Sequence, residues 1–221
     1  MKILKKIILF ITILSMVSCF DIIEDITIND DGSGKIFFAL NLSKSKTKLK
    51  SIMLLDSING NKVPSENDIN KHITDLKSKI SKINGVSNVK KSTNFKDYIF
   101  SLSCNFTSVN VLNNIISNLG SASEAKLIKN NKHFTYNKAT RTFSRNYHYD
   151  IAKEFKKVKS KDREIFDGAA VTTIYRFESG IASVKNKDSR ISKNKTAVFL
   201  QVKTKDIINN KKNIKNTIQL Q

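Results

Sequence analysis

The sequence predicts an α+β fold, with antiparallel sheets of hairpins and a few helices packed on one face. Three observations predict it. Runs of alternating apolar and polar residues recur in pairs, joined by short turns rich in Gly, Asp or Asn. Between the pairs lie stretches with apolar residues three and four apart, the mark of a helix that buries one stripe. No linker rich in Pro, Gly or Ser separates them, since the 221 residues hold only seven Gly and one Pro. Strands joined by tight turns, with helices covering one face, define such a layer.

Residues 25–29 and 35–42 form the first hairpin about Asp30-Asp31-Gly32-Ser33-Gly34, where Asp and Gly supply the positive φ of a tight loop. Ile36, Phe38, Leu40 and Leu42 share one face. Residues 46–56 predict a short helix with Leu49, Ile52 and Met53 on one side, broken at Asn59-Gly60-Asn61. A longer helix over 64–83 follows. Ser65 and Asp68 are spaced for a capping box, and Gly85 ends it. Its stripe of Ile69, Ile73, Leu76, Ile80 and Ile83 is expected to pack on the chain's own sheet rather than on a partner helix. Residues 86–91 and 97–107 make a second hairpin. A helix over 108–119 then points Leu112, Ile115, Ile116 and Leu119 inward and stops at Gly120.

The second half opens with a hairpin of residues 133–136 and 142–149 about Asn137-Lys138-Ala139. Asp150 caps a short helix running through Lys159. Strands follow over 171–177, 181–184 and 196–203, then a short helix near Asp206 and a last strand over 216–220. The stretch 121–132 is the one plausible boundary, so the expectation is a single domain or two docked halves meeting there.

Residues 1–18 read as a cleaved signal peptide. Lys2, Lys5 and Lys6 form a basic start, and residues 7–14 an apolar run broken only by Thr12. Small residues then precede Cys19. Residues 7–20 make about 21 Å of helix, too short for a hydrocarbon core of roughly 30 Å. Met16-Val17-Ser18-Cys19 resembles the lipobox of bacterial lipoproteins, with Met16 where Leu is preferred. The resemblance implies cleavage before Cys19 and acylation of its sulfur and new amino group, which would hold an ectodomain of residues 19–221 on a membrane. Two or more acyl chains suffice for stable anchoring. Few residues separate Cys19 from the first hairpin, so the domain is expected close to the bilayer.

The turn Ile28-Asn29-Asp30-Asp31-Gly32-Ser33-Gly34 resembles the opening of LppM-like envelope lipoproteins. Thr173-Ile174-Tyr175-Arg176-Phe177 and Ile191-Ser192-Lys193-Asn194-Lys195-Thr196-Ala197-Val198 are similar to that group's closing strands. The resemblance implies an α+β ectodomain on a lipid anchor and brings no catalytic residues with it.

The formal charge is +20 and is uneven. Residues 19–120 hold 13 Lys/Arg against 10 Asp/Glu, a net +3, while residues 121–221 hold 23 against 9, a net +14. The densest run is Lys153, Lys156, Lys157, Lys159, Lys161 and Arg163. Such a surface attracts phosphate-bearing material such as anionic lipid or lipopolysaccharide. AT-rich codon usage would produce the same Lys, Asn and Ile bias. Export removes nucleic acid from consideration.

With Cys19 acylated, Cys104 has no disulfide partner, and its place in the alternation Tyr98, Phe100, Leu102, Cys104, Phe106 makes it a buried structural thiol. His72, His133 and His148 lack the clustered partners of a metal site and read as surface residues, although His133 and His148 could meet across their hairpin. Asp21, Glu24, Asp25, Asp30 and Asp31 read as a solvated acidic edge of the first hairpin that keeps the sheet from pairing further. No G-x-S-x-G, phosphate-cradling loop or G-x-G-x-x-G is present. The expectation is therefore a non-catalytic envelope lipoprotein without metal or cofactor. It would sit on the periplasmic face of the outer membrane and touch anionic envelope material or a partner protein. The alternative is an envelope hydrolase whose site is assembled from distant residues.

Overall fold

The computed structural model describes residues 20–58, 60–119, 132–146, 151–160, 163 and 166–221. Cys19, Gly120, His148, Asp150, Lys161 and nearly all of the 121–132 stretch lie outside the described residues.

The first hairpin forms as its turn chemistry predicts. β1 (Asp21–Ile28) and β2 (Gly34–Asn41) pair from Asp21↔Asn41 to Ile28↔Gly34. Gly32 adopts φ +81°, and the Asp31 carboxylate accepts from Ser33 N at 2.8 Å. A 3₁₀ turn leads into α1 (Lys46–Ile52), then a two-stranded hairpin of β3 (Ser57–Ile58) and β4 (Asn61–Lys62). α2 (Glu66–Ser81) begins with the predicted capping box: Ser65 Oγ accepts from Asp68 N at 3.1 Å, and Asp68 accepts from Ser65 N at 3.0 Å. Gly85, at φ +85°, ends the segment. β5 (Val86–Asn94) and β6 (Ile99–Phe106) follow, with a bulge between Ser87 and Lys90, then α3 (Val109–Leu119).

The second half supplies β7 (Phe134–Asn137), β8 (Thr142–Arg145), α4 (Ile151–Lys157), β9 (Ala170–Phe177), β10 (Ile181–Val184), β11 (Arg190–Ile191), β12 (Ala197–Lys203), α5 (Thr204–Ile208) and β13 (Asn216–Leu220). The main sheet has seven strands in the order β11-β12-β9-β1-β2-β6-β5, and a smaller one runs β10-β13-β8-β7. Both exceed a few hairpins.

One pairing departs from the expectation of antiparallel hairpins alone. β1 pairs in parallel with β9, from Asp21↔Ala170 to Ile28↔Phe177, so a single sheet runs through both halves of the chain. Parallel pairing needs a long crossover and leaves no local turn to read. It also places β1 in the interior of the sheet. The acidic residues from Asp21 to Asp25 therefore do not form the expected sheet edge, and only Asp30 and Asp31 in the turn stand exposed. Asp21 meets Lys44 at 3.1 Å, Asp25 meets Arg176 at 3.0 Å, and Asp30 meets Arg141 at 3.3 Å. Glu24 is buried.

Alternation sorts the sheet into two faces. Ile26, Ile28, Ile36, Leu102, Cys104, Phe106, Tyr175 and Val198 point to the covered face, where Leu112 and Ile115 of α3, Ile73 and Ile80 of α2, and Phe134, Phe143 and Ile218 of the small sheet meet them in one core. Helices on one face is the layout expected. Leu200, Val202, Ile207 and Ile214 form a smaller cluster that also takes in Ile151 and Val171. On the opposite face Ile23, Phe37, Ile174 and Phe199 are half-buried or exposed.

The two sheets are joined by a buried ion pair. Arg145 on β8 donates from Nε to Glu24 Oε1 and from Nη2 to Oε2, each at 3.2 Å, and the Tyr175 hydroxyl donates to Oε1 at 2.7 Å. All three are buried, and the Arg145 guanidinium lies 4.8 Å from the Phe134 ring centroid. Burial pushes the Tyr175 hydroxyl well above its ordinary range, with the Glu24 charge adding to it. Burial alone would lower the Arg145 guanidinium, but Glu24 beside it reverses the sign and raises it.

Candidate binding site at the Phe20 end of the main sheet

The strand register places Lys203, Ala170, Asp21, Asn41, Ile99 and Asn94 in one row at one end of the main sheet. The chain enters the described fold here. Phe20 O accepts from Ala170 N at 2.9 Å, and the Phe20 ring meets Phe166 edge-on at 5.8 Å. Phe166 in turn meets Phe155 on α4 at 5.4 Å.

This aromatic chain positions the basic run found in the sequence. Lys153, Lys156 and Lys157 lie on α4 and Lys159 just beyond it, all exposed. Arg163 turns back on the helix. Its Nε donates to Val158 O at 2.9 Å and its Nη2 to Lys156 O at 3.0 Å, while the guanidinium stands 5.3 Å from the Phe155 ring centroid. It thereby serves the carbonyls at the helix C-terminus. The lysines stand at the Phe20 end of the sheet.

An apolar cleft of about 530 Å³ lies at the same end, between α2 and the covered face of β2 and β6. Phe38, Leu40, Leu42, Phe100 and Leu102 form its floor, Ile69, His72 and Leu76 one wall, and Leu119 and Pro64 its limits. The cleft exists because α2 is held over the edge strand. Lys91 on β5 donates to Asn70 Oδ1 at 2.6 Å and to Thr74 Oγ1 at 2.7 Å. Ile73 and Ile80 of α2 are buried against the sheet, and the cleft opens beneath the helix along Asp68, Ile69, His72 and Leu76. Leu119, the last described residue of α3, borders the cleft. The volume falls within the roughly 300–1,000 Å³ of small-molecule sites, and the lining is hydrocarbon with few polar groups, as such sites are.

Ser101, His72 and Asp68 all border this cleft, which invites comparison with a hydrolytic triad. The geometry does not assemble one. Ser101 alternates with Phe100 and Leu102, so its hydroxyl belongs to the opposite face of the sheet. The Asp68 carboxylate is committed to Ser65, whose hydrogen bonds hold it below the usual carboxylate range. Cys104 sits under the sheet as a packing residue, and burial pushes its thiol up to about 11. His133, expected at the surface, is instead buried where its carbonyl closes the β7–β8 hairpin with Asn146 N at 2.7 Å. Among the described residues, no three of His, Cys, Asp or Glu stand together as a metal site would require.

Sequence reasoning missed the cleft entirely, though it named most of its walls as core. The one available signal was the narrowness of the α2 stripe, which covers less sheet than a wide face would.

Neither a protein-family model nor a curated protein matches the chain. Among solved structures, the chain is similar to the NMR structure of the folded domain of LppM from Mycobacterium tuberculosis. The TM-score is 0.40 and the identity 11%, covering 93% of this chain and 91% of that one. Among the described residues, no helix is long and apolar enough to cross a membrane.

Proposed function

We propose that this chain is a non-catalytic envelope lipoprotein, held by an acylated Cys19, whose domain takes the hydrocarbon part of an envelope amphiphile into the cleft beneath α2. The apolar cleft carries this reading. Its lining offers a hydrocarbon chain burial worth roughly 0.8 kcal/mol per CH₂ and offers little to a polar ligand. Exposed Lys153, Lys156, Lys157 and Lys159 at the same end supply the charge that anionic headgroups call for, which supports an orientation with this end toward the membrane. The leader and Met16-Val17-Ser18-Cys19 support anchoring, on the periplasmic face of the outer membrane.

Native mass spectrometry of the chain extracted gently from its own envelope tests this. The expected result is an N-terminus at acylated Cys19 and a recurring extra mass of lipid size. Ile69→Trp, which fills the cleft from its wall, should remove that mass while leaving the acylation. An extra mass that survives Ile69→Trp would overturn the cleft as its site, and an unmodified Cys19 would overturn the anchor.

A further inference from the structure

We infer that the loop of residues 54–58 is a membrane-insertion element, which enters the interfacial region of an anionic bilayer. The described residues include five large hydrophobic side chains that stand exposed, and three of them fall within this loop: Leu54 at 87%, Leu55 at 50% and Ile58 at 41%. A single exposed Leu needs no explanation, but three within five positions make a patch.

The loop is built to present them. Leu49 and Met53 pack against the core and fix its base. Met53 N donates to Leu49 O at 2.9 Å and Leu55 N to Ile52 O at 2.9 Å, which ends α1. The β3–β4 hairpin then folds back through Val63 N to Asp56 O at 3.0 Å, with Gly60 at φ +80° in its turn. Part of the loop's backbone is thus paired internally, which lowers the number of polar groups that burial of its tip in lipid would orphan.

Two observations select a bilayer as the occupant. Exposed Lys48 and Lys50 precede the tip and exposed Lys62 follows it, against the single carboxylate of Asp56 within it. An apolar tip set among cations is the composition that settles into an anionic interface. The loop also springs from the row of the sheet that holds Asp21, since Leu42 N pairs with Tyr98 O at 2.9 Å and Lys44 meets Asp21 at 3.1 Å. The segment leading into the loop, the α4 lysines and Phe20 therefore share one end of the fold. The inference goes beyond the cleft and requires no occupant there.

The test reconstitutes the mature chain into vesicles of phosphatidylethanolamine and phosphatidylglycerol, carrying an environment-sensitive fluorophore at Leu54→Cys. Cys104 stays unlabelled because it is buried with a raised thiol pKa. Lys193→Cys, exposed in the turn near Phe177 at the opposite end of the sheet, is the control. The expected result is blue-shifted emission at position 54 that is quenched several-fold by lipids with a shallow spin label, and none at position 193. Equal access of aqueous iodide to both positions would overturn the inference. So would shielding of position 54 in native envelopes but not in vesicles holding this chain alone, which would assign the loop to a partner protein.

Discussion

The two ends of the main sheet are finished in opposite ways. At the β1–β2 turn, polar groups from three hairpins close on one another. The Asp30 carboxylate accepts from Ser179 Oγ at 2.7 Å and from Arg141 Nη2 at 3.3 Å, Arg141 also reaches Ser179, and Glu178 accepts from Asp30 N at 2.9 Å. Tyr136 lies against Gly32. At the Phe20 end, among the described residues, apolar surface is exposed in the cleft and the 54–58 loop, and exposed Lys48, Lys50 and Lys62 flank that loop in sequence. A closed end locks the register of the hairpins that meet there. An open end forgoes stability that burial of its apolar surface would add.

The largest effect should break both ends at once. Arg145→Met removes one partner of the ion pair between the sheets and leaves Glu24 buried and unpaired, which should cost about 3–5 kcal/mol by denaturant unfolding. Glu24→Leu combined with Arg145→Met should recover most of that loss, because no buried charge remains. A double variant as unstable as the single one would show that the pair does more than satisfy its own charges.

A glycine at each end sharpens the contrast. A Cβ on Gly34 would stand 1.9 Å from Thr27 O, whereas one on Gly60 meets nothing within 4 Å. Gly34→Ala must therefore shift the β1–β2 pair and should lose roughly 1–3 kcal/mol of stability. Gly60→Ala bears only the strain of its φ of +80°, roughly 1 kcal/mol. Comparable melting shifts would deny that the turn end is the tighter one.

Charge reversal probes the open end alone. Lys156→Glu with Lys159→Glu should weaken binding to anionic vesicles by about 1 kcal/mol per lysine removed, with the difference fading as salt rises. The thermal midpoint should hold, since both side chains are exposed. Equal binding to neutral and anionic lipid would sink the electrostatic part of the proposal.

The smallest effect treats the ends alike. Asp31 at the turn and Asp68 at the head of α2 are each held below the usual carboxylate range, first by the hydroxyl and then by the backbone of a serine. A carboxyl lowered by folding contributes stability that is fully present above its unfolded value of about 3.9 and is lost as pH falls through the folded one. Asp31→Asn and Asp68→Asn should each flatten the acid limb of the stability profile below about pH 4. An unchanged limb would mean the serine contacts are not maintained in solution.

Local chemistry made much of this legible beforehand. The capping box at Ser65 and Asp68, the turns at Gly32 and Gly85, and the inward face of Cys104 all depend on residues a few positions apart. The β1–β9 pairing, the Glu24–Arg145–Tyr175 cluster and the cleft unite residues roughly 30 to 150 positions apart, and no local pattern records such meetings. Glu24 illustrates the point. Read beside Asp21 and Asp25 it looked like part of a solvated edge, and only the arrival of β9 and β8 buried it.

The sequence by itself determined most of the longer elements, the turns between them and most of their buried faces. Periodicity and capping act within a few residues and need no partner to be read. Tertiary structure alone decided which strands are interior, where the cleft opens beneath α2, and that Phe20, the α4 lysines and the segment leading into the 54–58 loop share one end. Those outcomes depend on how separately formed faces compete for burial, a competition settled only when the whole chain packs.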